Sequence, residues 1–164
     1  MADALWSGLR LLLLIGAANI APILAKRVLR GFGNMPIDFG ARFFDGRPVL
    51  GPAKTWRGLL AAVALTVLTA LALGLPAEVG AIIGIAAMAG DALSSFVKRR
   101  LGLASSAKAT GLDQVPEALL PLLAVMGPLQ LSMATIAVVT LSFCLLALPM
   151  ARWSHRIGLR DEPH

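Results

Sequence analysis

Five apolar runs alternate with charged stretches along the chain. Residues 5–25, 58–75, 79–97, 116–127 and 131–150 are dominated by Leu, Ala, Val and Ile, and each predicts a helix apolar enough to sit in lipid. The fourth run is short, contains Pro121 and is followed by Gly127-Pro128, which predicts a helix that is kinked or does not cross fully. Pro76-Ala77-Glu78 predicts a tight turn between the second and third runs. The third run has the most informative pattern. Gly80, Gly84, Ala87, Asp91, Ser94, Ser95 and Lys98 recur at spacings of three and four, so they share one small, polar helix face. Asp91 precedes Lys98 by two helical turns and so lies about 10 Å deeper. A carboxylate buried in lipid costs about 2.5–3.5 kcal/mol and faces protein or a water-filled cavity. Asp91 is therefore a functional candidate rather than only an ion-pair partner. Gly80 and Gly84 form a small-xxx-small pair that suits helix packing either within one chain or between two copies in a homo-oligomer.

Charge orients these helices. Of the 15 Lys and Arg residues, all except Arg10 fall in the segment 26–57, the segment 98–113 or the C-terminal tail. With five crossings these three segments share one side, and the positive-inside rule makes that side cytoplasmic and the N-terminus external. The fold class expected is an all-α, polytopic integral membrane protein of about five transmembrane helices, forming a single domain over residues 1–164 of a multi-pass cell-membrane protein. A short apolar core before Ala17-Ala18 has the look of a secretory signal, but Asp3 and the apolar residues beyond predict a retained span.

Composition agrees with this picture. Hydrophobic residues make up 57% of the chain, above the usual soluble-domain range. Mean hydropathy is +0.78. The net charge of +6 lies between the spans, so it does not imply nucleic acid. The single Cys144 excludes an intrachain disulfide, and His155 and His164 belong to no Cys/His cluster of the kind that binds zinc. Trp6, Trp56 and Trp153 fall at span ends, where interfacial aromatics belong. There is no internal repeat and no low-complexity tract.

The polar segments carry the candidate chemistry. Residues 44–58 read FDGRPVLGPAKTWRG. Arg47, Lys54 and Arg57 suit phosphates and Thr55 can donate a hydrogen bond. Pro52-Ala53 interrupts what would otherwise approach a P-loop, so a Walker fold is excluded. The plainer reading is a basic loop resting on anionic lipid heads. Asp113 and Glu117 flank Pro116, which suits a helix start. Together with Asp91 they place carboxylates from two spans near two cationic loops. Carboxylates that take Mg²⁺ beside Lys and Arg suit a nucleoside triphosphate and phosphoryl or nucleotidyl transfer.

The motifs PIDFG (36–40), FFDGR (43–47), GPAKTWRG (51–58), GDALSSFVKRRLG (90–102) and LDQ (112–114) together resemble the CDP-archaeol synthase family. The later motifs are also similar to the C-terminal signature of phosphatidate cytidylyltransferases. The resemblance implies a Mg²⁺-dependent reaction of CTP with a membrane lipid phosphate, giving a CDP-lipid and pyrophosphate. It implies Asp91 and Asp113 as metal ligands, with Glu117 as a candidate third. It implies Lys54 and Lys98 as catalytic cations, and Asp45, Arg47, Thr55, Arg57, Ser95 and Arg99 as substrate-binding residues. Two positions depart from the pattern. Pro116 stands where a second Asp is common, and Ala109-Thr110-Gly111 replaces the His-Gly-Gly of the longer family. A non-catalytic lipid-binding or scaffold protein is the alternative reading. A CDP-alcohol phosphotransferase is disfavoured, because Asp38-Phe39-Gly40-Ala41-Arg42 only superficially matches its motif.

Overall fold

The computed structural model describes residues 2–105, 109 and 111–156. Lys108, Arg160 and His164, and the side chains of Arg152, Trp153, His155 and Arg156, lie outside the described set. Five helices run through the described residues: α1 Ala2–Leu29, α2 Trp56–Ala72, α3 Ala77–Arg100, α4 Gln114–Ala124 and α5 Met133–Arg156.

Their ends follow from local chemistry. Thr55 caps α2, its Oγ1 accepting a hydrogen bond from the Gly58 amide at 3.2 Å. α2 closes where Gly74 takes φ 71°, with Leu75 N–H on Ala70 O and Gly74 N–H on Leu71 O. α3 closes in the same way at Gly102, with Leu103 N–H on Lys98 O. Both are Schellman motifs that satisfy otherwise orphaned carbonyls. Lys98, placed on the helix face by its spacing, forms the last turn of α3 with Arg99 and Arg100, so the helix runs three residues past the expected end of the apolar span. Positive charge is favourable at a helix C-terminus, so the helix runs on until Gly102 stops it. Likewise α1 continues past residue 25 to Leu29, carrying Lys26 and Arg27 in its last turn.

The helices differ in reach. Leu5–Leu29 and Ala77–Arg100 are long and apolar enough to cross a membrane, while Trp56–Ala72 and Met133–Ala147 are shorter apolar helices. The 11 residues of α4 extend only about 16 Å, well short of a hydrocarbon core of roughly 30 Å. The helix of the fourth run is thus as short as its sequence suggests.

Small residues set the packing. A Cβ on Gly80 would lie 2.6 Å from Thr66 O and 2.7 Å from Val67 Cα, so α2 and α3 meet backbone to backbone. Gly84 faces Thr66 and Val63 in the same seam. The Gly80/Gly84 pair is therefore used within the chain. Gly90 lies against the Pro116 carbonyl and brings α4 onto the other flank of α3. Leu14, Ile15, Ile83, Leu122 and Ile136 fill the centre, drawn from four helices. The outer surface is also apolar. Leu60, Leu68, Leu141 and Leu145 are each more than 60% exposed, as expected for helices solvated by lipid rather than water.

Candidate active site

The site lies at the end of the bundle where α1 and α3 finish and α2 and α4 begin. Residues 30–55 fold over this end. Asp38 organises the fold of this loop: its carboxylate accepts from the amides of Gly40 (3.1 Å), Leu50 (2.8 Å) and Gly51 (3.2 Å). Partial burial raises its pKa, but these backbone bonds outweigh that effect and hold it below the ordinary 3.8. Isolated bridges pair Pro36 with Thr55 and Arg42 with Pro48. The loop thereby delivers Lys54 immediately ahead of the α2 cap.

Lys54 Nζ donates to both carboxylate oxygens of Asp91, at 2.6 and 2.5 Å. Each side chain is about one-fifth exposed, so the pair is sheltered but reachable. It lines a shallow cleft with Pro22 of α1, Ile37 and Ala53 of the loop, Leu59 of α2 and Met88 of α3. Glu117 of α4 lies close to Asp91, because its backbone packs against Gly90, the residue before Asp91. Gly90 makes this possible, because a side chain there would push α4 away.

Two turns along the same face of α3, Lys98 pairs with Asp113 at 2.7 Å, and Asp113 Oδ2 also accepts from the Ala109 amide at 3.0 Å. The candidate carboxylates thus divide into two ion-paired groups, one centred on Asp91 and the other on Lys98 two turns further along α3. Lys54, Asp91 and Glu117 form one, and Lys98 and Asp113 the other. Among the described residues no three carboxylate, imidazole or thiol groups converge to hold a metal as they stand. The adjacent Asp91 and Glu117 nevertheless offer a hard, all-oxygen donor pair. That suits Mg²⁺, which takes one or two carboxylates and completes its shell with water and substrate phosphates.

Several expected phosphate-binding cations hold the protein together instead. Arg57 donates to the carbonyls of Arg30 and Phe32, tying α2 to the end of α1. Arg47 donates to Arg100 O at 2.6 Å, and Arg99 to Ala104 O at 2.6 Å. Asp45 accepts from the Arg47 amide and from Arg100, at 3.0 and 2.9 Å. Thr55 is the helix cap, and Ser95 is buried in α3. The expected set therefore separates into a cleft group around Lys54 and Asp91 and a ring of loop clasps. Sequence reasoning missed Asp38 and Arg100 as organisers. Asp38 did carry a signal, since an Asp two residues before Gly is the pattern of an Asx turn.

The family described as CarS-like, CDP-archaeol synthase, matches residues 3–79 and 75–164. The CDP-archaeol synthase of Hyperthermus butylicus is 47% identical over 105 residues, covering 60% of this chain and 60% of that protein. That of Methanopyrus kandleri is 45% identical and covers 51% of each. The chain thus spans less than two thirds of these relatives in the aligned stretch. The CDP-archaeol synthase of Thermococcus gammatolerans is 33% identical over 162 residues, covering 89% of this chain and 88% of that protein. A solved structure, described as "Structural insight into an intramembrane enzyme for archaeal membrane lipids biosynthesis", superposes with a TM-score of 0.70 at 35% identity, covering 86% of this chain and 90% of that one.

Proposed function

The chain belongs to the CDP-archaeol synthase family, and from that membership we propose that it is a membrane-embedded CTP:lipid-phosphate cytidylyltransferase. The observation that carries the reading is the bidentate Lys54–Asp91 pair beside Glu117, set in a cleft with apolar walls. Such a cleft offers apolar surface to a lipid stem and charge to phosphates. The substrates are CTP and an ether-linked isoprenoid phosphate, and Mg²⁺ is the metal.

In the reaction, an oxygen of the lipid phosphate forms a bond to the α-phosphorus of CTP. The bond from that phosphorus to the bridging oxygen breaks, and pyrophosphate leaves with the electron pair. The nucleophile belongs to the substrate, so the protein needs to position and neutralise rather than attack. Mg²⁺ held by Asp91 and Glu117 would supply charge neutralisation at the phosphates. Lys54 releases Asp91 and turns to the incoming phosphates. Lys98, opposite Asp113, presents a second cation on the same face of α3, and Asp113 keeps it oriented. The Arg47, Arg57, Arg99 and Asp45 clasps hold the loops that frame the cleft.

Residues 1–164 act as one domain in the cell membrane, with the N-terminus outside and the basic loops and C-terminus cytoplasmic. A reporter fused after His164 should read as cytoplasmic, and an external signal there would overturn the orientation. The decisive experiment is CTP turnover by purified protein against a panel of lipid phosphates, with and without Mg²⁺. Metal-dependent pyrophosphate release with one lipid class supports the reading. Lipid binding without turnover would leave a scaffold role in its place.

A further inference from the structure

The loop over the site exposes more aromatic surface than a water-facing loop would. Phe32, Phe39 and Phe44 are 80%, 70% and 101% exposed. Two contacts fix their depth. The Phe39 ring lies 6.4 Å from that of Trp56, the first residue of α2. The Phe43 ring lies 5.4 Å from that of Phe96, which sits one turn inside the end of α3 at Arg100. Phe44 then packs edge-on against Phe43 at 5.1 Å and projects outward. The loop therefore folds back beside the helix ends instead of standing away from them. Basic residues accompany these rings. The Arg100 guanidinium stacks over Phe43 and Phe96 at 4.7 and 5.0 Å, while Arg30 and Arg42 are exposed. Aromatic rings beside cations at helix ends match the interfacial layer of a bilayer bearing anionic headgroups.

We propose that residues 32–44 form an interfacial wedge, with Phe32, Phe39 and Phe44 immersed in the headgroup–acyl boundary of an anionic leaflet and Arg42 on its phosphates. The proposal rests on the membrane placement given above. It makes the bilayer surface itself a partner of the loop that delivers Lys54.

The test uses full-length protein in anionic vesicles, with Cys144→Ala removing the native thiol. Nitroxide labels are placed singly through Phe44→Cys, Phe32→Cys and Leu68→Cys, the last as a reference on the exposed apolar face of α2, three turns in from the loop. Collision with oxygen is compared with collision with a water-soluble nickel chelate. Labels at 44 and 32 should favour oxygen, by less than the label at 68, and Arg42→Glu should shift the label at 44 toward the chelate. If 68 reads lipid while 44 and 32 read water, the wedge is wrong and the membrane reading stands. If 68 also reads water, the membrane reading itself fails. A label at 44 shielded from both probes would mean a protein partner or a second copy covers the loop. Immersion unchanged by Arg42→Glu would remove the anionic surface from the proposal.

Discussion

Replacing Lys54 with Met separates its two proposed tasks. In the structure the Lys54 ammonium occupies both oxygens of Asp91, the atoms a divalent cation would take. A cation binding alone must displace it. A hydrogen bond to a charged group contributes about 1.5–3 kcal/mol net. With both side chains about one-fifth exposed, screening favours the low end of that range. At 1.4 kcal/mol per decade, Lys54→Met should raise cation affinity in the absence of nucleotide roughly tenfold. With CTP present the sign reverses, because the lysine that would have moved to the phosphates is gone. The gain in metal affinity that CTP confers on the wild type should therefore collapse, and turnover with it. The assay is Mn²⁺ binding by electron paramagnetic resonance in nanodiscs, with and without a non-hydrolysable CTP analogue, beside steady-state turnover. Metal affinity that is unchanged or weaker in nucleotide-free Lys54→Met would refute the partner exchange, whatever happened to activity.

Other perturbations test separate parts of the structure. Asp91→Asn should abolish turnover while leaving the melting temperature near wild type, whereas Asp113→Asn, which loosens the hold on Lys98, should lower turnover without abolishing it. Gly90→Ala drives a methyl into the Pro116 carbonyl and should cost about 1–3 kcal/mol by overpacking, read as a lower melting temperature. Gly16→Ala meets nothing within 4 Å and should be neutral or stabilising, so equal losses at both positions would contradict the close α3–α4 approach. Asp38 has a pKa lowered in the fold, so its contribution to loop stability is full above the unfolded value and is lost as pH falls through the folded one. Protection of the Leu50 and Gly51 amides, referred to the intrinsic exchange rate at each pH, should fall in the wild type as pH drops through the folded Asp38 pKa, which lies below 3.8. In Asp38→Asn their exchange should be fast at neutral pH and lack that acid step.

The apolar runs were sufficient to read five helices in their order, because burial in lipid demands long uninterrupted apolar segments and leaves charge between them. The small polar face of α3 was legible for the same reason, since helical periodicity places Gly80, Gly84 and Asp91 on one side whatever they touch. What they touch was not legible. Gly80 and Gly84 suit packing within a chain or between chains, and only the close approach of α2 decides for the first. Lys54 and Asp91 are 37 residues apart, and their pairing depends on how Asp38 folds the intervening loop. Cations look alike in sequence. Arg47 and Arg57 read as phosphate ligands, but helices end with unpaired carbonyls, and in the folded chain these two arginines lie where the ends of α3 and α1 need donors. Composition and periodicity thus determine which faces are apolar and where charge gathers. Which charge meets which depends on the relative placement of segments distant in sequence, and that is set by backbone contact between helices.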